Sequence, residues 1–251
     1  MSEALGEASD RAPASPEGGS SKSDAWTDLG LTLPIFVLYH LGVVFLPMRN
    51  AADVVTNRLT ALANQSLPLY ASLTVGIGGA YVLLLWSLGQ RQLLSARRFL
   101  FLGVEGIAYA FLMRILGGYA LEALPLTASN STGLSTMGSS FVMSLGAGFY
   151  EELVFRVLLF GGGAWLVRTI EGIGPTSLTM QIGWAVFCAV AFSGWHHLGP
   201  GGESFDLAVF VYRTVCGLVL TAIFALRGFA PAVWTHVVYD LWAMGVFDAG
   251  S

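Results

Sequence analysis

Charged side chains occur within one of the most apolar stretches of the chain. The segment FYEELVFRVLLF, residues 149–160, carries Glu151, Glu152 and Arg156 among aliphatic and aromatic residues. A charge at the centre of a bilayer costs roughly 2.5–3.5 kcal/mol on insertion scales, so three charges in one apolar helix need partners. Glu152 and Arg156 share a helix face and can form an ion pair. Glu151 lies about 100° round the helix, so the same arginine cannot neutralise both carboxylates equally.

Two further apolar segments carry residues of interest at the same spacing of four. AFSGWHHL contains Phe192 and His196, and APAVWTHVVYDLW contains His236 and Asp240. Residues four apart lie on one helix face, so each pair can point toward a common site. We therefore expect three helices to face a shared cavity, in which the charges contact one another and water rather than lipid.

The residue types in these three segments are those needed for hydrolysis of an amide by water. A carboxylate that is partly desolvated but close to an arginine can accept a proton as a general base. A neighbouring histidine can hold the water, and a second histidine can donate a hydrogen bond to the developing oxyanion. The sequence contains no recognisable Ser, Cys or Thr nucleophile motif and no HExxH zinc motif.

The composition is typical of a polytopic membrane protein. Of the 251 residues, 55% are hydrophobic and 11% are charged, whereas a soluble domain is about 25% charged. The net charge is −4 and the chain has one lysine, so no basic surface indicates a nucleic-acid partner. Both cysteines lie in apolar segments, where we expect them to be buried as small apolar residues.

The pattern of apolar runs predicts an all-α transmembrane bundle of about seven spans. Crossing ~30 Å of hydrocarbon takes about 20 apolar residues. Such runs occur near residues 30–48, 67–88, 99–121, 140–168, 178–197, 205–226 and 229–248. The fourth run is overlong and reaches three consecutive glycines at 161–163, where we expect a bend or break. Residues 49–66 have apolar residues at helical spacing and are predicted to lie at the membrane interface.

The chain divides into two predicted parts. Residues 1–28 are rich in Ser, Ala, Gly, Pro and acidic residues and contain no apolar run. This composition predicts a disordered polar tail rather than a signal peptide. Residues 29–250 form the predicted integral membrane domain, with the motif-bearing core at about 135–245. No internal repeat is visible, which counts against a transporter built from inverted halves.

The three motifs EExxxR, FxxxH and HxxxD, in this order and each on an apolar helix, resemble those of a known family. This is the CPBP family, which comprises the CAAX proteases and the bacteriocin-processing (Abi) proteins. The resemblance covers about residues 135–245. It implies a glutamic-type intramembrane endopeptidase that acts on a peptide bond of a membrane-associated substrate.

The resemblance implies a role for the residues of the first two motifs. Glu151 would be the base that activates water, assisted by His196. Glu152 and Arg156 would hold this helix and its catalytic carboxylate in place. Phe192, which precedes His196 by one helical turn, is assigned to substrate binding.

The last motif departs from the usual pattern of one branch of the family. His236 and the residue at position 240 would form the oxyanion side of the site. Prenyl-CAAX enzymes usually carry Asn at this position, whereas the wider family tolerates the Asp240 found here. An ionised aspartate cannot donate to an oxyanion, so we expect Asp240 to orient His236 and to favour its protonated form. This departure weakens an assignment to prenylated CAAX substrates.

The prediction from the sequence is therefore a multi-pass endopeptidase of the cell inner (cytoplasmic) membrane that needs no metal or other cofactor. Its partners are a membrane-anchored protein or peptide substrate and the lipid bilayer. Three alternatives stay open. Glu151, Glu152, His196 and His236 could instead coordinate Zn²⁺ in a metal-dependent protease. The chain could also be a non-catalytic scaffold or immunity-type protein that keeps the motifs, or a transporter with a polar cavity.

Other polar residues within the spans lack a comparable motif. We expect His40 to be a structural residue and His197 to mark a helix boundary. Glu105, Arg114 and Arg213 are expected to form interhelical pairs or to support the site from outside.

Overall fold

The computed structural model describes residues 25–46, 50, 52–53, 66–87, 95–124, 126, 137–198 and 202–243. Within these ranges all regular secondary structure is helical, which confirms the predicted all-α bundle. In chain order the helices are α1 (Ala25–Phe45), α2 (Leu67–Ser87), α3 (Ala96–Ala123), α4 (137–171), α5 (Pro175–Trp195), α6 (Leu207–Arg227) and α7 (Phe229–Ala243). Each helix coincides with one of the seven predicted spans.

Several of these helices are long enough to cross a bilayer. Four described segments meet this requirement by length and composition: Ala96–Ala123, Gly138–Glu171, Pro175–Trp195 and Leu207–Arg227. Shorter apolar segments cover Thr27–Val43 in α1 and Leu67–Leu83 in α2. Large Leu, Ile, Val and Phe side chains are exposed along α2, α3 and α5. Exposed apolar surface of this extent is typical of helices that face lipid, so the chain is a multi-pass membrane protein.

Helix α7 lies in the middle of the described bundle. It packs against α1, α3, α4 and α6. Most of its first nine residues are buried, including Val233, His236 and Val237. Trp234 Nε1 also donates a hydrogen bond to Leu31 O of α1, at 3.1 Å. Because protein surrounds α7 on these sides, the polar residues of the last motif face other helices rather than lipid.

The connection from α6 to α7 depends on a glycine and on a carboxylate of α1. Gly228 has a φ of 107°, a conformation that glycine adopts without steric cost, and this allows a one-residue link between the helices. The backbone N–H of Phe229 donates to Asp28 Oδ2 at 2.6 Å. A carboxylate at a helix N-terminus satisfies a free N–H and interacts favourably with the helix dipole.

The role of Asp28 corrects the predicted boundary of the polar tail. The sequence predicts a tail that extends to residue 28, whereas residues 25–28 lie in α1, and Thr27 and Asp28 are buried against the bundle. Residues 1–24 lie outside the described residues.

Helix α4 departs from α-helical geometry where it carries the first motif. Met137–Gly146 and Gly162–Glu171 are α-helical, whereas Ala147–Glu151 and Leu153–Gly161 are π-helical. Turns of π-helix are rare and concentrate at functional sites. The wider turn changes the direction in which successive side chains point, so the spacing of four gives only an approximate direction for each motif residue.

The break expected at the three glycines 161–163 is not present. The N–H of Gly162 is hydrogen-bonded to Leu158 O and Leu159 O, so the helix continues through these residues. The glycines mark the change from π to α geometry instead.

Helices α4 and α7 approach each other closely at Gly148. A Cβ atom at this position would overlap the Val237 side chain and would lie 3.1 Å from both Val233 O and Val237 N. Only a glycine therefore permits this separation of the two backbones. The contact precedes Glu151 by one turn, so it also sets the distance between the first and last motifs.

We expect Gly148→Ala to destabilise the bundle by roughly 1–3 kcal/mol, the usual cost of overpacking a well-packed core. The matched control is Gly183→Ala in α5, where an added Cβ would meet no atom within 4 Å. Thermal unfolding of the purified protein in detergent measures both variants. A Gly148→Ala protein as stable as the control would contradict the close packing of α4 on α7.

Candidate active site

The three motif helices surround one cavity. The cavity has a volume of about 820 Å³, and Glu151 of α4, His196 at the end of α5 and His236 of α7 line its wall. Asp240 and Phe192 contribute to the same wall. The structure thus brings together the residues that the sequence places on three separate helices.

Glu152 and Arg156 form the ion pair expected from their spacing. Arg156 Nη1 lies 3.1 Å from Glu152 Oε1, and the two side chains are 1% and 0% exposed. The guanidinium also lies over the ring of Phe192, with Cζ 4.2 Å from the ring centroid. A desolvated cation over an aromatic face is attracted by the ring quadrupole. Phe192 of α5 therefore contacts the same guanidinium that pairs with Glu152.

The same carboxylate of Glu152 also binds the last motif. His236 Nδ1 lies 2.7 Å from Glu152 Oε1, in a hydrogen bond between α7 and α4. An ionised carboxylate only accepts hydrogen bonds, so Nδ1 of His236 carries the proton. This fixes the ring with Nε2 directed toward Glu151, whose Oε2 is 4.0 Å away.

The two carboxylate oxygens of Glu151 have different surroundings. Oε1 accepts a hydrogen bond of 2.8 Å from Asn50 Nδ2. Oε2 lies 3.6 Å from His196 Nε2 and 4.0 Å from His236 Nε2. These separations are longer than direct hydrogen bonds, and they are separations that a water molecule can bridge.

His196 is held at the end of α5 by its own backbone and by the following loop. Its Nδ1 lies 3.0 Å from Phe192 O, and because a carbonyl only accepts, Nδ1 is the donor. The N–H of Glu203 donates to His196 O at 2.9 Å. The Glu203 carboxylate in turn pairs with Arg213 Nη2 of α6 at 3.1 Å. Arg213, which the sequence predicts to pair between helices or to support the site, therefore holds Glu203 beside His196.

Asp240 is placed differently from the expectation. Its Oδ2 is 3.6 Å from His236 Nε2, beyond hydrogen-bond distance, whereas Glu152 makes the direct hydrogen bond to His236. The spacing of four on α7 brings Asp240 near the ring, but Nδ1 faces the neighbouring helix α4. The orientation of His236 thus comes from Glu152, and Asp240 adds a carboxylate on the cavity side of the ring.

Phe192 packs mainly against other residues of the site. Its ring is 3% exposed, and the ring centroids of His196 and His236 lie 5.2 Å and 5.9 Å away. Its assignment to substrate binding stays a prediction, while its contact with Arg156 is a second function that the sequence did not suggest.

The remaining polar residues of the spans have partners away from the cavity. Glu105 of α3 pairs with Arg227 at 2.6 Å, and Arg114 lies over the ring of Trp242. Buried His40 contacts the hydroxyl groups of Tyr70 and Tyr150, as a structural histidine should. His197 packs on Phe205 and Phe210 beside the end of α5.

The two cysteines are buried, as the sequence predicts. Cys188 and Cys216 do not form a disulfide.

Sequence reasoning missed Asn50. The sequence predicts residues 49–66 at the membrane interface, yet Asn50 and Asp53 are 5% and 0% exposed. Apart from Ala52 and Ser66, the rest of that stretch lies outside the described residues. The available signal was a pair of polar residues directly after the first apolar span, but nothing in the sequence shows that Asn50 contacts Glu151.

The fold and the site together define a class, which is a multi-pass helical membrane protein with a charged site enclosed between its spans. Residues 133–242, which include α4 to α7, match the family of Rce1-like proteins, described as type II CAAX prenyl endopeptidases. This match supports the resemblance of the three motifs to the CPBP family of CAAX-type proteases. No match to the chain was found among curated proteins or among solved structures.

Removing Arg156 should destabilise the folded protein. Arg156→Ala leaves the fully buried Glu152 carboxylate with one cationic partner fewer, and breaking a buried ion pair in this way costs roughly 3–5 kcal/mol. Arg227→Ala is the matched control, because its pair with Glu105 is partly exposed, at 44% and 23%, and such pairs contribute about 0–1 kcal/mol. Yield of monodisperse protein and thermal midpoint report the difference. Normal stability of Arg156→Ala combined with lost activity would make Arg156 a directly catalytic group instead.

Proposed function

We propose that the protein is an intramembrane endopeptidase that hydrolyses a peptide bond of a membrane-anchored protein or peptide with water activated by Glu151 and His196. The observation that carries this proposal is the arrangement around Glu151 Oε2. This buried oxygen lies 3.6 Å from His196 Nε2 and 4.0 Å from His236 Nε2, at the wall of the cavity.

The arrangement supports the binding of a water molecule with a defined orientation. Nδ1 of His196 donates to Phe192 O, so Nε2 of the neutral ring is an acceptor. Glu151 Oε2 is also an acceptor. A water between them donates one hydrogen to each, and its lone pair then points away from both groups toward the substrate.

The reaction follows from this orientation. The water oxygen attacks the carbonyl carbon of the scissile amide, and Glu151 accepts the proton as the new C–O bond forms. The carbonyl oxygen becomes an oxyanion. When the C–N bond breaks, the proton passes from Glu151 to the leaving nitrogen, and the second hydrogen of the water stays on the new carboxylic acid. Transfer of this second proton to the released amine gives a carboxylate and an ammonium group.

His236 is the proposed donor to the oxyanion. Its Nδ1–H is already bound by Glu152, so donation from Nε2 requires the doubly protonated ring. Carboxylate oxygens of Glu152, Asp240 and Glu151 lie 2.7, 3.6 and 4.0 Å from its ring nitrogens. These negative charges are the groups that support an imidazolium at this position.

The size and lining of the cavity support the proposal that it binds a largely apolar segment of the substrate. A volume of about 820 Å³ falls in the usual range of roughly 300–1,000 Å³ for ligand pockets. Met113, Met143, Trp195 and Leu220 provide apolar parts of its lining.

The family description supports a CAAX-type substrate. Asp240 differs from the Asn usual in prenyl-CAAX enzymes, so the proposal specifies a membrane anchor and no particular lipid. The inner membrane is the proposed location.

Glu151→Gln tests the role of the base. Gln keeps the side-chain volume but cannot accept the proton, so cleavage should fall by at least the ~10²–10⁴-fold typical of a general base. Insertion into the membrane should stay intact, because the neutral side chain removes a charge from the apolar region. Cleavage of candidate membrane-anchored proteins, followed by mass spectrometry, measures the effect. Glu105→Gln is the control, since it neutralises a carboxylate on α3 outside the cavity wall.

The same variant separates the alternatives. Among the described residues no group of three or more His, Cys, Asp or Glu side chains is arranged to hold a metal ion. A metal-dependent protease would nevertheless show bound metal that Glu151→Gln lowers, and would lose activity in chelator. A scaffold would keep its cellular phenotype in the Glu151→Gln form. Full cleavage by metal-free Glu151→Gln protein would exclude the proposed mechanism.

A further inference from the structure

Residues that follow α1 contact the carboxylate of Glu151. These residues lie outside the part of the chain that matches the family, residues 133–242. We call Asn50, Ala52 and Asp53 the arm. Asn50 Nδ2 donates to Glu151 Oε1 at 2.8 Å, across a separation of 101 residues. The family match begins at residue 133, so neither the motifs nor the match assigns a role to the arm.

The hydroxyl group of Tyr39, in α1, makes two hydrogen bonds to the arm. Tyr39 Oη accepts from the backbone N–H of Asn50 at 3.1 Å and donates to Asp53 Oδ2 at 2.8 Å. The Asp53 N–H donates to Asn50 O at 3.1 Å, which closes a turn. Tyr39 is completely buried, so these hydrogen bonds are shielded from competing water.

The local hydrogen bonds also fix which end of the Asn50 amide faces Glu151. Asn50 Oδ1 accepts from the N–H of Ala52 at 2.8 Å, so the amide oxygen is directed back to the arm. The NH₂ group must then face Glu151, which matches the acceptor character of a carboxylate. The amide cannot flip without losing both hydrogen bonds.

This contact restricts the rotation of the Glu151 carboxylate. The last torsion of a glutamate side chain is broad and roughly two-fold, so packing alone does not fix where its oxygens point. Asn50 holds Oε1, and the other oxygen, Oε2, is left facing His196 and His236.

We propose that Asn50 is a positioning residue, which fixes the rotation of the Glu151 carboxylate so that Oε2 stays aligned with the histidines and the attacking water. This role rests on the proposed function of Glu151 as the base. Asn50 also lines the cavity, so its test must separate positioning from contact with the substrate.

The kinetic test is Asn50→Ala, measured with the membrane-anchored peptide that the wild-type protein cleaves. Loss of alignment should lower kcat by up to about 100-fold, the effect of misplacing a catalytic group by about 1 Å. KM should stay unchanged, because a residue that only positions Glu151 makes no contact with the substrate. A raised KM with unchanged kcat would make Asn50 a substrate-binding residue and overturn the proposal.

A charge-exchange cycle tests the contact without relying on activity. Asn50→Asp keeps the acceptor for the Ala52 N–H but places a second carboxylate against Glu151, so the thermal midpoint should fall. In the Glu151→Gln background, the glutamine NH₂ can donate to the new carboxylate, and the same substitution should cost little or nothing. Equal effects of Asn50→Asp in both backgrounds would show that the two side chains are not coupled.

A matched pair of tyrosines tests whether the arm acts through α1. Tyr39→Phe removes the hydroxyl that binds Asn50 and Asp53, and should reproduce part of the loss in kcat. Tyr70→Phe removes a buried hydroxyl that contacts His40, at 3.3 Å, and should leave kcat unchanged. Equal loss in both variants would reduce the role of the arm to general stability.

The outcomes distinguish this inference from the proposed function. Wild-type activity and an inactive Glu151→Gln protein, together with full activity of Asn50→Ala, would overturn the positioning role and leave the endopeptidase intact. A wild-type protein that cleaves no substrate would overturn both the positioning role of Asn50 and the proposed endopeptidase function. The charge-exchange cycle would then still decide whether Asn50 binds Glu151.

Discussion

The structure depends on one buried anion, the carboxylate of Glu152. It is completely shielded from solvent, and it is balanced by Arg156 from its own helix and by His236 from α7. Such a charge is tolerated only when both partners are held in place, because each unmet hydrogen bond at this depth is costly. The close approach of α4 and α7 at Gly148 and the aromatic cover of the guanidinium by Phe192 both serve this requirement.

Two adjacent carboxylates therefore acquire different chemistry from their surroundings alone. Glu152 is bound by a cation and an imidazole N–H and is not among the residues that line the cavity. Glu151 has one oxygen held by Asn50 and the other directed at two imidazole Nε2 atoms beside the cavity. Glu151 ends one π-helical segment of α4 and Glu152 directly precedes the next, so both carboxylates lie where the helix departs from regular α geometry.

The sequence predicted most of the fold and part of the site. All seven helices follow from apolar runs, since the length needed to cross a membrane leaves a strong signal along the chain. The spacing of Glu152 and Arg156 predicted their ion pair, because both partners lie on one helix. The hydrogen bond from His236 to Glu152 rather than to Asp240 was not predictable, since it depends on how two helices pack. Asn50 was missed for the same reason: a contact across 101 residues leaves no periodic pattern.

The contact between α1 and α7 has a consequence for the order of events during synthesis. Asp28 and Leu31 of the first helix bind Phe229 and Trp234 of the last, across 201 and 203 residues. Translation proceeds from α1 to α7, so the ring of helices closes only after residues 229–236 have left the ribosome. Until then, Glu152 lacks its partner His236 and the charged site is incomplete. The cavity acquires its full wall of charged residues only when the last described helix has docked.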